Sequence, residues 1–515
     1  MRKVYSAAII GLSTQLIEIE ADLSYGFKNF EIVGLPDKAV EESKERIKAA
    51  IKTSGFSPPL RKPERIIINL APADLKKEGS LYDLPIAISY LVVSKQINLP
   101  KQKILFLGEL SLDGKLRPIK GALLFALFAQ KFQFDILILP QSNYQEASLV
   151  YLKKSSLQIF GASSLKEVVD FLNGKIKWNP PKLELDKILS NPTFEFDIGY
   201  IKGQNFAKRA LEIAAAGAHN LLFIGPPGGG KTLLAKSLPT ILPPLCPSEI
   251  LEVTQIYSIV GLLLQKPPII TQRPFRAPHH SASKIAIIGG GNPPLPGEIT
   301  LAHRGVLFLD EFPEFRRDVI EALRQPLEEG KITIQRSKVS VTFPAKFMLV
   351  AASNPCPCGY LNDPLHECIC SPSQIAKYKR KMSGPIIDRI DLLVELPYVK
   401  FEDLIQKPDE KLSPKISQRV AEARLIQKER FKDEGILTNS EMNLKQIEKY
   451  CKLGAVEQDF IRQHVNSGKL SARGFHRVLK VARTIADLEK SPRITLEHLS
   501  EALMYRLKSI EEGYQ

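Results

Sequence analysis

No run of apolar residues in this 515-residue chain reaches the ~18–20 that a membrane-spanning helix needs. The longest, "LPIAISYLVV" (84–93) and "ALLFALFA" (122–129), are the size of core elements. The opening "MRKVYSAAIIGLSTQLIEIE" runs from a short apolar stretch into Gln and Glu without a cleavage-site pattern, so no signal peptide is read there and a cytoplasmic location is expected. Internal repeats and low-complexity tracts are also missing. Acidic residues are in deficit, 56 Asp and Glu against 71 Lys and Arg, which leaves a formal charge of +15. That excess favours a polyanionic partner, of which nucleic acid is the commonest. Cysteine is scarce and uneven, with four of the six crowded into residues 356–370. In a cytoplasmic chain that clustering points to metal before disulfides.

The strongest motif is "LLFIGPPGGGKTLLAKSL". An apolar strand leads into Gly225-Pro226-Pro227-Gly228-Gly229-Gly230-Lys231-Thr232 and then a helical run, the strand–loop–helix setting that gives G-x-x-x-x-G-K-[ST] its meaning. Glycines let backbone N–H groups turn onto phosphate oxygens, Lys231 reaches the β- and γ-phosphates of ATP, and Thr232 ligates Mg²⁺. Downstream, "GVLFLDEF" is a buried strand delivering Asp310 and Glu311, the first to hold Mg²⁺ and the second to polarise the attacking water. "FMLVAASNP" is another apolar strand, and its Asn354 is placed to help position that water. In "SGPIIDRIDLLVEL", Arg389 stands just before a strand, either as a surface ion-pair residue or as an arginine serving a neighbouring subunit's γ-phosphate. Between the two catalytic strands, "GKITIQRSKVSVTF" (330–343) alternates apolar and polar residues around a basic tip, which predicts a hairpin carrying Arg336 and Lys338.

Four organisational units follow. Residues 1–174 alternate β-like runs with helices. Residues 175–190 are Pro-rich and charged, a linker. Residues 191–396 form a second α/β unit, and 403–515 are helical in pattern. "CPCGYLNDPLHECIC" sets two C-x-C pairs nine residues apart, so Cys356, Cys358, Cys368 and Cys370 either close a structural zinc site or remain free thiols, with His366 a spare ligand. Cys246 and Cys451 read as ordinary core cysteines. "RPFRAPHHSASK" is unusual. Its adjacent His279 and His280 are expected to point apart, Arg273 and Arg276 either contact phosphates or, equally, serve a structural role, and 285–297 reads as a flexible loop.

The order of these parts resembles an AAA+ ATPase. "PGEITLAHRGVLFLDEF" is similar to the segment entering Walker B in MCM helicases and the magnesium chelatase motor subunit. With "NPCPCG", "SGPIIDRIDL" and "IVGLPDKAVEESKERIKAAI", the whole chain resembles the YifB/ComM family of magnesium-chelatase-like AAA+ ATPases. The resemblance implies an α/β multidomain fold: a Lon-protease-like (ribosomal S5-like) N-terminal domain, a P-loop core with a helix-2 insert and a pre-sensor hairpin, and a helical lid. It implies a hexameric ring with Asn354 as sensor 1, Arg389 as a trans-acting finger and Arg473 as sensor 2, although Arg477 and Arg483 lie on the same helix. It places Ile201, Gly203 and Gln204 near the adenine and turns the hairpin tip toward DNA in a central channel. It implies a DNA helicase or branch-migration motor acting on single-stranded or branched DNA during recombination of incoming DNA, the alternative being a chelatase-type motor remodelling a metal-insertion partner. In the N-terminal domain the two positions of the Lon Ser–Lys dyad fall on Leu81 and Leu123, with Ser80 and Lys120 one register or more away, so a non-proteolytic docking domain is expected.

Overall fold

The computed structural model describes residues 3–177, 194–264, 269–335, 340–382, 386–399, 401–468 and 470–511. Most of the expected linker and the hairpin tip, with Arg336 and Lys338, lie outside the described residues.

The N-terminal domain is built on a seven-stranded mixed sheet. Its order is Asn29–Val33, Glu64–Ala71, Ser13–Tyr25, Val4–Ile10, Ile104–Phe106, Ile136–Pro140, Gln158–Ala162. Strand alternation feeds a core on each face. Ile104, Phe106, Ile136 and Ile138 point to one face, under helices Lys38–Thr53 and Asp83–Val93. Leu105, Leu137 and Leu139 point to the other, under helix Ala122–Lys131. Helix Lys38–Thr53 starts where Asp37 accepts from the Val40 N–H (2.8 Å), and it buries Val40, Ser43, Ile47, Ala50 and Ile51 at helical spacing.

The second unit holds a five-stranded sheet in which every pairing is parallel. The order is Phe275–Arg276, Val306–Leu309, Met348–Ser353, Leu221–Ile224, Leu392–Glu395. Because all strands run one way, Gly225, Asp310 and Asn354 emerge along one carboxyl edge, the general place for a ligand in open parallel sheets. The C-terminal helices, chiefly Leu412–Arg430, Ala455–Asn466, Ala472–Leu488 and Leu496–Glu511, share one hydrophobic core with this sheet and with helix Asn205–Gly217. Arg424 and Gln427 donate to the carbonyls of Ala215 (2.7 Å) and Ala216 (3.0 Å), satisfying acceptors at the end of helix Asn205–Gly217.

The N-terminal domain is docked on the second unit. Leu123 and Leu149 share a core with Ile250, Val253, Ile256 and Tyr257 of helix Pro247–Val260. The Gly121 N–H donates to the Ser258 carbonyl (3.2 Å), and the buried Glu146 accepts from the Leu123 N–H (2.9 Å) and from the Ser258 hydroxyl. Leu123, at the position of the dyad lysine, is thus part of a domain joint. Ser80 donates instead to Glu109, while the Lys120 stem lies along Gly261.

Segment 285–297 departs from the sequence expectation. It forms helix Lys284–Ile288 and a two-residue ladder, Gly289–Gly290 with Leu295–Pro296. Ser283 caps the helix by accepting from the Ala286 N–H (3.2 Å), a local signal that the glycine-rich composition obscured.

Candidate nucleotide site

Strand Leu221–Ile224 is fully buried and pairs on both sides, which fixes where the glycine-rich loop begins. Gly225 is required by close approach: a Cβ there would lie 2.8 Å from the Leu396 carbonyl oxygen. Gly228 (φ +77°) and Gly230 (φ +84°) are required by conformation, since both sit in the left-handed region with open space around them. Helix Lys231–Ser237 then starts at the loop.

Lys231 Nζ donates to the carbonyls of Gly225 (2.7 Å) and Pro226 (2.9 Å) and to Asn354 Oδ1 (3.0 Å). Burial pushes the Lys231 pKa down, against the pull of Asp310. Thr232 Oγ1 donates to Asp310 Oδ2 (2.7 Å), and Asp310 Oδ1 accepts from the Glu311 N–H (3.0 Å). Glu311 has left-handed backbone (φ +51°) and an exposed carboxylate. The loop, both acidic residues and Asn354 therefore meet at one edge, with hydroxyl and carboxylate oxygens converging as a hard cation such as Mg²⁺ requires.

Beside the glycines lies a cavity of about 480 Å³ lined by Ile201, Gln204, Gly228, Gly229, Gly230 and Leu404 among others. Gln204 Nε2 donates to the carbonyls of Gly229 (3.3 Å) and Pro397 (2.7 Å), tying the loop to the last strand's exit. Gly203 (φ +57°) turns the chain there, against Asp403.

Arg389 lies apart from this edge. It precedes strand Leu392–Glu395, so it stands at the amino end of the sheet, 7% exposed and paired with Glu328. Arg473 is exposed on the same side, 3.7 Å from Asp388. Its two rivals are engaged inside the protein: Arg477 pairs with Asp391 (2.5 Å) and Arg483 with Asp487 (3.0 Å).

The paired histidines depart from expectation, and the arginines follow the structural one of their two readings. The rings of His279 and His280 lie side by side, centroids 4.1 Å apart, and His280 Nδ1 reaches Glu311 Oε2 at 3.0 Å. Arg273 is held by Glu249 (2.9 Å) and Arg276 by Glu298 (2.6 Å), so both guanidiniums serve internal ion pairs. The His280–Glu311 contact spans 31 positions and no local pattern announces it; the unusual "PHH" was the one visible signal.

Strands Lys331–Gln335 and Ser340–Pro344 pair antiparallel, with Ile332 opposite Phe343 and Ile334 opposite Val341. Those four apolar residues are buried. They share a core with Ile9 and Leu12, which flank the first turn of the N-terminal domain. A Cβ on Gly11 would collide with Val341 Cγ1.

The Sγ atoms of Cys356, Cys358, Cys368 and Cys370 all lie within 4.8 Å of one another. Three separations are 3.3, 3.6 and 3.7 Å. A tetrahedron with Zn–S bonds of ~2.3 Å has edges of ~3.8 Å, so the cluster is compatible with zinc. Burial works to raise the Cys358 thiol, but hydrogen bonds from the Tyr360 N–H and neighbouring thiols bring it down to about 6, while the coupled thiols of Cys356, Cys368 and Cys370 are pushed up. His366 stays outside the cluster, against Tyr360 and Tyr398. Cys451 is buried and its thiol is pushed up to about 12 by that burial. Cys246 differs from the expected core cysteine: it stands at the N-terminus of helix Pro247–Val260, its N–H donating to Glu249 (3.0 Å).

Three family models match the chain: "Subunit ChlI of Mg-chelatase" over residues 19–143, "Magnesium chelatase, subunit ChlI" over 197–404, and "Magnesium chelatase, subunit ChlI C-terminal" over 410–506. Competence protein ComM of Haemophilus influenzae is 45% identical over 508 residues, covering 98% of this chain and 97% of that protein. YifB of Escherichia coli is 42% identical over 508 residues, 98% of this chain and 96% of its own. The magnesium-chelatase 38 kDa subunit of Rhodobacter capsulatus is 27% identical over 182 residues, 32% of this chain and 51% of that subunit.

Proposed function

The chain belongs to the ComM/YifB family of magnesium-chelatase ChlI-like ATPases, and from that premise we propose that it is a ring-forming motor that spends ATP to move on DNA, a helicase or branch-migration translocase in recombination of incoming DNA. One observation carries the catalytic part: at the glycine loop Lys231 donates to Asn354 and its neighbour Thr232 donates to Asp310, with Glu311 next in the chain and donating its N–H to Asp310. Mg·ATP, when bound, supplies the γ-phosphoryl group and the cation that neutralises it. Lys231 exchanges its carbonyl partners for phosphate oxygens. Thr232 and Asp310 hold the cation, Glu311 and Asn354 orient and polarise a water, and Ile201, Gly203 and Gln204 border the adenine.

Arg389 acts on a neighbour. A four-residue strand rises ~13 Å, so Arg389, at its amino end, is out of reach of its own phosphate loop. A hexameric ring brings it, with Arg473, against the next subunit's site. The pre-sensor hairpin leads through residues 345–347 into strand Met348–Ser353, which Asn354 follows, so nucleotide state moves its tip, where Arg336 and Lys338 contact DNA phosphates. The N-terminal domain keeps a Lon-like fold as a docking module, seated on the hairpin and on helix Pro247–Val260. The four cysteines hold a structural Zn²⁺.

The chelatase-subunit family models over 19–143, 197–404 and 410–506 favour a second reading, a motor for metal insertion, but the Rhodobacter capsulatus chelatase subunit itself is similar over a third of the chain where ComM is similar over nearly all of it. Strand displacement on a labelled forked duplex tests the proposal. Wild type should unwind it with ATP and Lys231→Ala should not; equal failure of both proteins overturns the DNA reading.

A further inference from the structure

We propose that the four-cysteine knuckle is a metal-dependent brace of the nucleotide pocket, fixing the phosphate loop against the end of the Asn354 strand so that ATP turnover requires the knuckle's metal. The inference rests on the ATPase reading above and concerns which part of the chain holds that site in shape.

The knuckle begins two residues after Asn354, and Cys356 is fully buried. The chain turns at once, the Gly359 N–H donating to the Cys356 carbonyl (3.0 Å). This turn lays Gly359 on Pro227, at the crown of the phosphate loop. A Cβ on Gly359 would stand 2.6 and 2.7 Å from the Pro227 ring and 3.8 Å from Asn354 Cγ. Pro227 is otherwise exposed, and the Cβ positions of Gly228 and Gly230 open onto empty space. Gly359 therefore packs against the outer side of a loop with few other supports. Asn354 in turn accepts from Lys231. Both sides of the phosphate site thus meet one short segment.

That segment has little core of its own. Leu365 is 72% exposed and Ile369 86% exposed. In the helix that follows, Pro372–Met382, Tyr378 is buried, and its hydroxyl reaches Ser353 and the Asn354 backbone. Apolar burial at Cys356 and Tyr378 anchors the two ends. Between them, Asp363 accepts from the Leu365 and His366 N–H groups (2.7 and 2.9 Å) and His366 lies against Tyr360 and Tyr398, which shapes the middle of the loop. Its two ends are gathered by the four converging thiols, which a metal with thiolate affinity, zinc first, locks together. Loss of that metal frees Gly359 from Pro227 and loosens the loop while leaving the sheet intact.

The test uses the full chain. Zinc is measured by elemental analysis, turnover by phosphate release, and nucleotide dissociation with a fluorescent ATP analogue. A zinc-selective chelator in constant Mg²⁺ should slow turnover by about 10- to 100-fold, the scale set by small misplacements of catalytic groups. It should speed nucleotide release, and added Zn²⁺ should reverse both. Gly359→Ala should show the same defects with about one zinc still bound per chain. Should that variant shed its zinc, Pro227→Ala, which leaves the cysteines untouched, replaces it: it should keep zinc, release nucleotide faster and lose most of its sensitivity to the chelator. Wild-type turnover and nucleotide release after complete zinc removal would overturn the brace, as would a Pro227→Ala protein as chelator-sensitive as wild type. If untreated wild type hydrolyses no ATP, the ATPase reading falls, and the dissociation rates alone still decide the brace.

Discussion

Replacing Arg389 with Ala separates action on a neighbour from action within a subunit. Arg389 and its own phosphate loop lie at opposite ends of the sheet, ~13 Å or more apart. Across that distance, at an effective dielectric of about 20–80, one charge contributes about 0.3–1.3 kcal/mol, and salt with a Debye length of about 8 Å weakens it further. Within a subunit the loss is therefore tenfold at most. A finger on a neighbour's transition state is worth about 10³–10⁵ in rate, or about 4–7 kcal/mol. The fold should tolerate the change. Burial first, then the crowding of Arg473, Arg477 and Arg324, already pushes the Arg389 pKa down, and its partner Glu328 is half exposed, so removing the arginine leaves no carboxylate buried without a partner. The assay is ATP turnover of Arg389→Ala alone and mixed with Lys231→Ala. Each protein alone should be inactive. Mixed one to one, about a quarter of head-to-tail interfaces join an intact site to an intact arginine, and activity should return toward that fraction. An Arg389→Ala protein within tenfold of wild type, or no recovery at any mixing ratio, refutes the reasoning.

Glu311→Gln should slow hydrolysis by about 10²–10⁴-fold and leave ATP affinity, read by calorimetry, nearly unchanged. Asp391 ties the sheet to the lid through Arg477 (2.5 Å) and the Asn220 N–H (3.0 Å), so Asp391→Asn should lower stability to denaturant by about 3–5 kcal/mol. Burial works to raise the Asp391 pKa, but Arg477 and His219 more than offset it and hold the carboxyl well below its usual range. Its stabilisation is full above the unfolded value of about 3.9 and fades as pH falls below it, so wild type and Asp391→Asn should converge in acid melts. Gly11→Ala drives a methyl into Val341 at a left-handed position (φ +61°) and should cost about 1–3 kcal/mol, seen as a lower melting temperature.

The phosphate loop was legible because its chemistry is local: consecutive glycines, a lysine and a threonine after an apolar strand define the geometry whatever surrounds them. Asp310, Asn354 and the hairpin were legible for the same reason, each being a strand pattern with a polar end. Contacts between distant segments were not. Arg273 and Arg276 look free in sequence because Glu249 and Glu298 are more than 20 residues away. His280 reaches Glu311 only because strand Phe275–Arg276 pairs beside strand Val306–Leu309. The seating of Gly11 on Val341 joins residues 330 positions apart, and the long antiparallel pair Val4–Ile10 and Ser13–Tyr25 is masked by a basic start and short apolar run of the kind targeting segments carry.

The central claim, a motor whose ATPase is coupled to DNA, is tested most directly by the ATPase rate of the full chain with and without single-stranded, duplex and branched DNA. The account predicts stimulation by at least one of these. It also predicts that the Arg336→Ala, Lys338→Ala double variant keeps the basal rate, loses the stimulation, and binds DNA with a log–log salt slope shallower by roughly 0.7–0.9 for each phosphate no longer neutralised. A wild-type rate indifferent to every DNA, together with an unchanged salt slope in the double variant, would contradict it.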